Sequence, residues 1–95
     1  MSKKFSDFVF DWDEQKNYKL IEERNISFDE VLELIVNESF LDIIGNEKKY
    51  KNQKIFVLQI DNYVYLVPFI ESGNKVFLKT IFPSRKMTKK YLGGS

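Results

Sequence analysis

Apolar residues recur with a helical period in the segment that follows Ser27. They stand at positions i, i+3, i+4 and i+7, opposite acidic residues: Phe28, Val31, Leu32 and Ile35. Ser27 and Glu30 match the S-x-x-E capping box, in which the serine oxygen accepts a hydrogen bond from an amide of the first turn. The pattern therefore predicts an amphipathic helix that begins just after Ser27.

A short strand and another helix are predicted before it. Residues 7–11 alternate between polar and apolar side chains only at first, and they are predicted to form a short opening strand. The helix that follows can be capped by Asp11 or Asp13, because either carboxylate can accept hydrogen bonds from the free amides of the first turn. We expect it to run to about Arg24, where Asn25 can adopt the left-handed conformation that ends helices.

Beyond Asn37 the pattern changes to a period of two, with β-branched and aromatic residues. Four strands are predicted, at residues 40–45, 54–60, 63–70 and 75–82. The last three are joined by short turns, at residues 61–62 and 71–74, and should form an antiparallel meander. Pro68 cannot donate to a sheet ladder, so we expect a bulge or an edge there, while Pro83 should end the last strand before a short helical turn.

These elements predict an α+β fold: a short N-terminal strand, two helices, a mainly antiparallel sheet of about four strands and a C-terminal helical turn. Residues 1–95 should form one domain, with 1–6 and 93–95 as flexible ends. The strands are apolar on both sides, although only two helices are available to cover them. We expect one sheet face to stay partly open for a partner; the alternative is that the sheet curls and loops cover it.

The composition excludes several kinds of chemistry. The chain contains no cysteine and no histidine, which rules out disulfides, thiolate metal sites, histidine triads and HExxH metal sites. It also has no glycine-rich phosphate loop, and we expect no cofactor and no metal. The N-terminal residues do not resemble a signal peptide, no apolar run is long enough to span a membrane, and cytoplasm is the expected location.

Charge is distributed very unevenly although the net charge is only +1. Residues 7–47 contain twelve acids and three cations, whereas residues 48–90 contain ten cations and two acids. The segment Thr80 to Leu92 has several cations and no acid. If the fold places the acidic and basic segments on different faces, one face will suit a polyanion; chance clustering of surface charges is the alternative.

Three spaced motifs carry a resemblance to a known family: residues 12–17 (WDEQKN), 26–28 (ISF) and 84–88 (SRKMT). Their order and spacing, from about Phe10 to Lys90, resemble those of the BrnT-type toxins of bacterial type II toxin–antitoxin pairs. In that family a lysine–histidine–glycine turn precedes the second motif, where this chain has Glu23, Arg24 and Asn25. The residue before the C-terminal motif's arginine is often alanine in the family and is Ser84 here, which indicates a divergent member.

The resemblance implies a RelE-like fold and a metal-independent ribonuclease that inhibits translation. It also implies a cognate small antitoxin, of the ribbon-helix-helix type that binds DNA, with which the toxin can form a hetero-oligomer. The missing histidine puts any function of that side chain in doubt.

The residues themselves are compatible with such chemistry. RNA can be cleaved without metal when its own 2′-hydroxyl attacks the adjacent phosphorus, so the protein must position the backbone and neutralise developing charge. Arg85 is the first candidate, because it is the only arginine of the basic half and matches the arginine of the family. Lys79 is a further catalytic candidate, as a charge stabiliser or proton donor, and Lys54 is another, through a contact with phosphate. The remaining candidates would contact RNA: Lys51, Tyr50, Lys86, Lys89, Lys90 and Tyr91.

Each candidate also has a structural interpretation. Arg85 could form a salt bridge with the acidic half, and the lysines and tyrosines could be ordinary solvated surface. A second function therefore stays open, that of a non-catalytic module that binds a protein or a nucleic acid through a basic face. Growth arrest on expression in bacteria, relieved by Arg85→Ala, would favour the toxin.

Overall fold

The protein forms an α+β fold in the computed structural model, which describes residues 5–45 and 53–93. Within these residues a 3-10 turn at Phe5–Asp7 precedes three helices and a mixed six-stranded sheet. The helices are α1 (Glu14–Arg24), α2 (Phe28–Val36) and α3 (Arg85–Leu92). The strands are β1 (Val9–Asp11), β2 (Asp42–Gly45), β3 (Gln53–Ile60), β4 (Tyr63–Ser72), β5 (Lys75–Leu78) and β6 (Phe82–Pro83).

Both predicted helix starts are confirmed at the level of single hydrogen bonds. Asp13, not Asp11, caps α1, and its side chain accepts from the Gln15 amide at 2.9 Å. Ser27 caps α2 and accepts from the Glu30 amide at 3.1 Å. Asn25 ends α1 with φ 55°, in the left-handed conformation expected of it.

A buried amide side chain holds α1 and α2 together. Asn17 is only 4% exposed, and its Oδ1 accepts a hydrogen bond from the Phe28 amide at 2.8 Å. Beside it, the Trp12 ring stacks on Phe28 with 5.6 Å between centroids. An unpaired buried N–H costs about 1–3 kcal/mol, so Asn17 satisfies a group that would otherwise destabilise the start of α2. The WDEQKN and ISF motifs thus have a structural role.

The sheet order is β1-β5-β4-β3-β2, and β6 also pairs with β4. The predicted antiparallel meander of β3, β4 and β5 is confirmed, whereas β1 pairs with β5 in parallel. Asp61 and Asn62 connect β3 to β4 with φ angles of 57° and 96°. Two positive φ angles in a two-residue hairpin loop correspond to a type I′ turn, which matches the right-handed twist of the strands.

The prediction of one strand over residues 75–82 is wrong. β5 ends at Leu78, and the chain rejoins β4 as β6 only at Phe82. Between them the Lys79 amide donates to the Pro68 carbonyl at 2.8 Å. The N–H and C=O of a residue in an antiparallel strand point toward the same neighbouring strand. The position where Pro68 lacks an N–H therefore faces the gap between β5 and β6. Pro68 therefore lies on a central strand, but where one of its neighbours is interrupted.

Side chains of the sheet divide between two faces, and α1 and α2 cover one of them, here called the helix face. Its core includes Phe56, which is fully buried and stacks on Phe69 with ring centroids 4.1 Å apart. Phe5 packs against Phe56 at 5.3 Å between centroids. Residues 1–6 were predicted to be flexible; Phe5 and Ser6 instead belong to the 3-10 turn, and residues 1–4 lie outside the described residues.

The opposite side of the sheet, here called the outer face, is half covered by α3. Met87, Tyr91 and Leu92 of this helix pack on a second core of Val57, Val64 and Leu66. The face is partly open, as the first of the two sequence expectations stated, and its covered part lies under a helix rather than under loops. The open part includes the exposed side chains of Val9, Ile70 and Phe77.

Candidate nucleic-acid interface

Helix α3 is amphipathic, and its solvent side consists of cations. The exposed residues of the helix are all basic and define what we call the basic face: Arg85, Lys86, Lys89 and Lys90. They stand at i, i+1, i+4 and i+5 and so share one side of the helix. The half-buried positions between them, Met87, Thr88, Tyr91 and Leu92, turn toward the sheet.

The first turn of this helix is electrostatically unfavourable, whereas Lys89 and Lys90 in the last turn suit the negative end of the helix dipole. The first turn contains no acid, and Arg85 and Lys86 stand at the positive end of the helix dipole. The i,i+4 pairs, Arg85 with Lys89 and Lys86 with Lys90, bring like charges together at a cost of about 0.2–0.5 kcal/mol each. A bound polyanion would offset these costs. Local features that oppose folding stability are typical of functional sites.

Ser84 and Thr88 hold α3 on the sheet. The Ser84 oxygen accepts from the Met87 amide at 3.2 Å and so caps the helix. Thr88 Oγ1 accepts from the Val64 amide at 2.9 Å and donates to the Ser84 carbonyl at 2.7 Å. The fold thus uses three residues of the SRKMT motif: Ser84, Met87 and Thr88. Arg85 lies between the first two of these, exposed, and within residues 5–45 and 53–93 no carboxylate forms an ion pair with it.

The end of α3 is fastened to the edge strand β2 by a hydrogen bond between two titratable groups. The Tyr91 hydroxyl donates to Asp42 Oδ2 at 2.8 Å. This bond lowers the pKa of Asp42, assisted by the Ile43 amide, and raises the pKa of Tyr91. Lys90 Nζ lies 5.6 Å from the centre of the Tyr91 ring. The hydroxyl proton of Tyr91 is therefore used in the hydrogen bond to Asp42. RNA could contact the ring of Tyr91, but this hydroxyl is not available as a proton donor to RNA.

We expect this hydrogen bond to stabilise the fold only within a window of pH. The lowered pKa of Asp42 means that its contribution is lost as the pH falls below the ordinary value of about 3.9. The raised pKa of Tyr91 means that its contribution is lost as the pH rises above about 10. Tyr91→Phe should therefore be less stable than the wild type near neutral pH, and the difference between the two proteins should shrink as the pH approaches either extreme. Urea denaturation of the two proteins between pH 3 and pH 11 measures this; a constant difference would contradict it.

Helices α2 and α3 carry charges of opposite sign and lie on opposite sides of the sheet, which is the arrangement that would give the protein one face suited to a polyanion. Helix α2, over the helix face, carries Asp29, Glu30 and Glu33 and no cation. The four cations of α3 lie over the outer face. An open cleft of about 370 Å³ beside α2 is lined by Glu30, Glu33 and Asp61, which makes it unsuitable for phosphate. The basic face of α3 is the better candidate for a polyanion.

The other predicted site residues are distributed over the sheet. The amide of Lys79 is hydrogen-bonded to Pro68 of β4, and the amide of Ser84, which precedes Arg85, is hydrogen-bonded to Val64 of the same strand. At about 3.3 Å per residue the two positions are about 13 Å apart, a spacing that suits different phosphates of one strand. Lys54 pairs with Phe69 and therefore belongs to the helix face, away from α3. Tyr50 and Lys51 lie outside the described residues.

Some contributors to this region have no signal in the sequence. Asp42 was predicted only as a strand residue, and its bond to Tyr91 joins positions 49 apart. Arg24, the last residue of α1, donates a hydrogen bond from Nη1 to the Ile81 carbonyl at 3.0 Å. This bond connects α1 to the segment between β5 and β6. Phe77 was predicted to be an ordinary strand residue and is 40% exposed. The lysines two residues before and after Phe77 are the one signal that could have indicated this exposure, because alternate residues of a strand share a face.

Two features are absent from the part of the chain that the structure describes: a group of potential metal ligands and a helix that could span a membrane. No group of three or more acidic side chains there is arranged to hold a metal ion. None of the helices in residues 5–45 and 53–93 combines the length and the apolar composition needed to cross a bilayer. The sequence matches no protein-family model and no curated protein.

Proposed function

We propose that this protein is a ribonuclease toxin of the BrnT type, with a RelE-like fold, that binds RNA through α3 and arrests translation. The observation that carries the proposal is the basic face: four exposed cations on one side of a helix, without an acid among them. RNA is the ligand that fits the resemblance of the motifs, and its phosphates would relieve the repulsion between these side chains.

Arg85 has the central role in the proposed reaction. Its guanidinium can grip a phosphate with two parallel hydrogen bonds and neutralise charge that develops as the RNA 2′-oxygen attacks. The bond from this oxygen to phosphorus forms as the bond to the 5′-oxygen breaks, with water carrying the proton between them. Lys79, about 13 Å along β4, would neutralise another phosphate and help to position the strand.

The proposed partner is a small antitoxin, of the ribbon-helix-helix type in the family that the motifs resemble. An antitoxin would have to neutralise the toxin by covering the basic face or by moving α3. Acidic residues on such a partner would be complementary to the four cations of this helix. Co-expression with the product of the neighbouring gene, followed by purification of the complex, tests this part of the proposal.

RNA binding by α3 can be tested through its salt dependence. The double variant Lys86→Gln/Lys89→Gln should bind a single-stranded oligoribonucleotide more weakly, because two phosphate contacts are lost. Each lost contact should reduce the slope of log K against log salt by about 0.7, and hence the pair by about 1.4. Fluorescence anisotropy at several salt concentrations measures the slope.

A matched control removes the same charge elsewhere. Lys16→Gln/Lys19→Gln changes two exposed lysines of α1, on the other side of the sheet. This variant should keep the slope of the wild type within error. An equal change in both variants would mean that overall charge, and not the basic face, determines binding.

A non-catalytic RNA- or protein-binding module is the second candidate. It is favoured by the position of Lys54, a candidate catalytic residue, on the helix face, away from α3. The Tyr91 hydroxyl, which could otherwise donate a proton, is held by Asp42. Such a module would bind RNA with the salt dependence described above but would leave it intact. A cleavage assay without metal, analysed on a denaturing gel, therefore separates the two candidates.

A further inference from the structure

We propose that the open part of the outer face is a stacking platform for a base of single-stranded RNA, with Phe77 as the contact. The inference rests on the proposed function, because it requires that RNA is bound. It concerns a region other than α3 and a different part of the ligand, since the basic face can contact phosphates whereas an aromatic ring contacts a base.

The alternation of β5 places Phe77 between two cations. Val76 and Leu78 are buried in the core of the helix face, so their neighbours along the strand point to the outer face. Lys75 and Phe77 are exposed on this side, and Lys79, which continues the strand opposite Pro68, is exposed as well. The result is a basic–aromatic–basic row at every second residue.

Apolar neighbours extend the platform around the ring. Ile70 pairs directly with Phe77 across β4 and β5 and is 38% exposed. Val9 of β1, which pairs with Lys75, is 55% exposed. Single exposed apolar residues are normal, but these lie on three adjacent strands and on one face. The second core beneath α3, around Val57, Val64 and Leu66, does not include them.

Charge around the ring favours a nucleotide with its base on Phe77. Asp11 is in register with Phe77 on the neighbouring strand, and its Oδ1 already accepts the Trp12 amide at 2.9 Å. A carboxylate there repels phosphate but can accept an N–H from the edge of a base. The flanking Lys75 and Lys79 can take the phosphates on either side. Bases are accessible in this way only in single strands, which excludes a duplex.

The platform and the basic face can serve one RNA strand. Phe77 pairs with Ile70 of β4, and Ser84, the cap of α3, is hydrogen-bonded to Val64 of the same strand. At the rise of a strand, Ile70 and Val64 are about 20 Å apart. An OB-fold domain, for comparison, covers roughly 4–16 nucleotides of a single strand, and a bound segment of that length can reach both places. Lys79 lies between them on the same edge of β4.

The test compares Phe77→Leu with Phe77→Tyr. Leucine keeps an apolar side chain but removes the ring, whereas tyrosine keeps it. The probe is a single-stranded oligonucleotide of about 12 nucleotides with 2′-O-methyl groups throughout, because this RNA cannot be cleaved by its own 2′-hydroxyl. Phe77→Leu should weaken binding roughly 5- to 150-fold, the range for removing one stacking aromatic, while Phe77→Tyr stays within about threefold of the wild type.

Two controls isolate stacking from general damage. Tyr18→Leu removes an aromatic ring that is 64% exposed on α1, and it should bind the oligonucleotide like the wild type. Duplex RNA of the same length should bind Phe77→Leu and the wild type equally. Circular dichroism and thermal unfolding establish that both leucine variants are folded.

The outcomes distinguish this inference from the proposed function. If Lys86→Gln/Lys89→Gln weakens binding and Phe77→Leu does not, the platform is overturned and RNA binding by α3 stands. If the wild type binds neither oligonucleotide, both fail. If Phe77→Leu leaves RNA binding intact but dissociates a dimer in sedimentation, the patch is a contact between two copies of the chain, and the platform is likewise overturned.

Discussion

Phe56→Ala is expected to lower the free energy of unfolding by about 3–5 kcal/mol, the range for truncating a buried phenylalanine. Phe56 is fully buried in β3 and stacks on Phe69 at 4.1 Å between centroids. Phe5 and Phe40 contact it at 5.3 and 5.5 Å. Removing the ring leaves a cavity whose walls come from the 3-10 turn, the approach to β2 and the central strand β4, so local collapse cannot fill it. Urea denaturation followed by far-UV circular dichroism measures the loss.

The expected loss is a large part of the total stability of a domain of this size, which is about 5–15 kcal/mol. Tyr18→Ala, at a residue that is 64% exposed, provides the comparison and should change the free energy of unfolding by less than about 0.5 kcal/mol. A loss below about 1.5 kcal/mol for Phe56→Ala would show that the aromatic cluster is not the centre of the core.

Arg85→Ala is expected to reduce RNA cleavage by at least about 100-fold and to relieve growth arrest in bacteria that express the protein. Removing one hydrogen-bond donor that stabilises developing charge typically lowers the rate by about 10²–10³-fold, and the expected reduction is taken from this range. Arg85→Lys retains the charge but not the two parallel hydrogen bonds, so it should give an intermediate rate. Cleavage is measured on a defined RNA in the presence of a metal chelator.

Stability measurements separate this role from a structural one. Arg85 is exposed at the first position of α3, where a cation opposes the helix dipole. Its removal should therefore leave the melting temperature unchanged or raise the free energy of unfolding by about 0.3–1 kcal/mol. Reduced activity together with reduced stability would indicate that Arg85 holds the fold. A wild-type protein that neither arrests growth nor cleaves RNA would favour the binding module instead.

The helices and the hairpin between β3 and β4 could be predicted because their signals are local. Ser27 and Glu30 specify the start of α2 within four residues, and Asp61 and Asn62 tolerate the positive φ angles of the turn. The break between β5 and β6 could not be predicted in this way. Residues 75–82 keep the strand pattern throughout, and the interruption depends on Pro68 and on the bond from Arg24 to the Ile81 carbonyl.

The candidate site was predictable in its charge but not in its geometry. The acid-free segment predicted a basic surface, and the α+β class followed from the order of the elements. That α3 lies across the outer face depends on contacts distant in sequence, such as those of Thr88 with Val64 and of Tyr91 with Asp42. The exposure of Phe77 depends in turn on how much of that face α3 leaves uncovered.

The hairpin between β4 and β5 determines which residues of β5 are buried and which are exposed. Gly73 adopts φ 62° in a loop of two residues, which aligns Ser72 with Lys75 and sets the pairing of Ile70 with Phe77. A slip of β5 by one residue against β4 would turn the buried and exposed residues of the strand over together. The register set at this loop therefore preserves the buried core of the helix face and the exposed row of β5 at the same time.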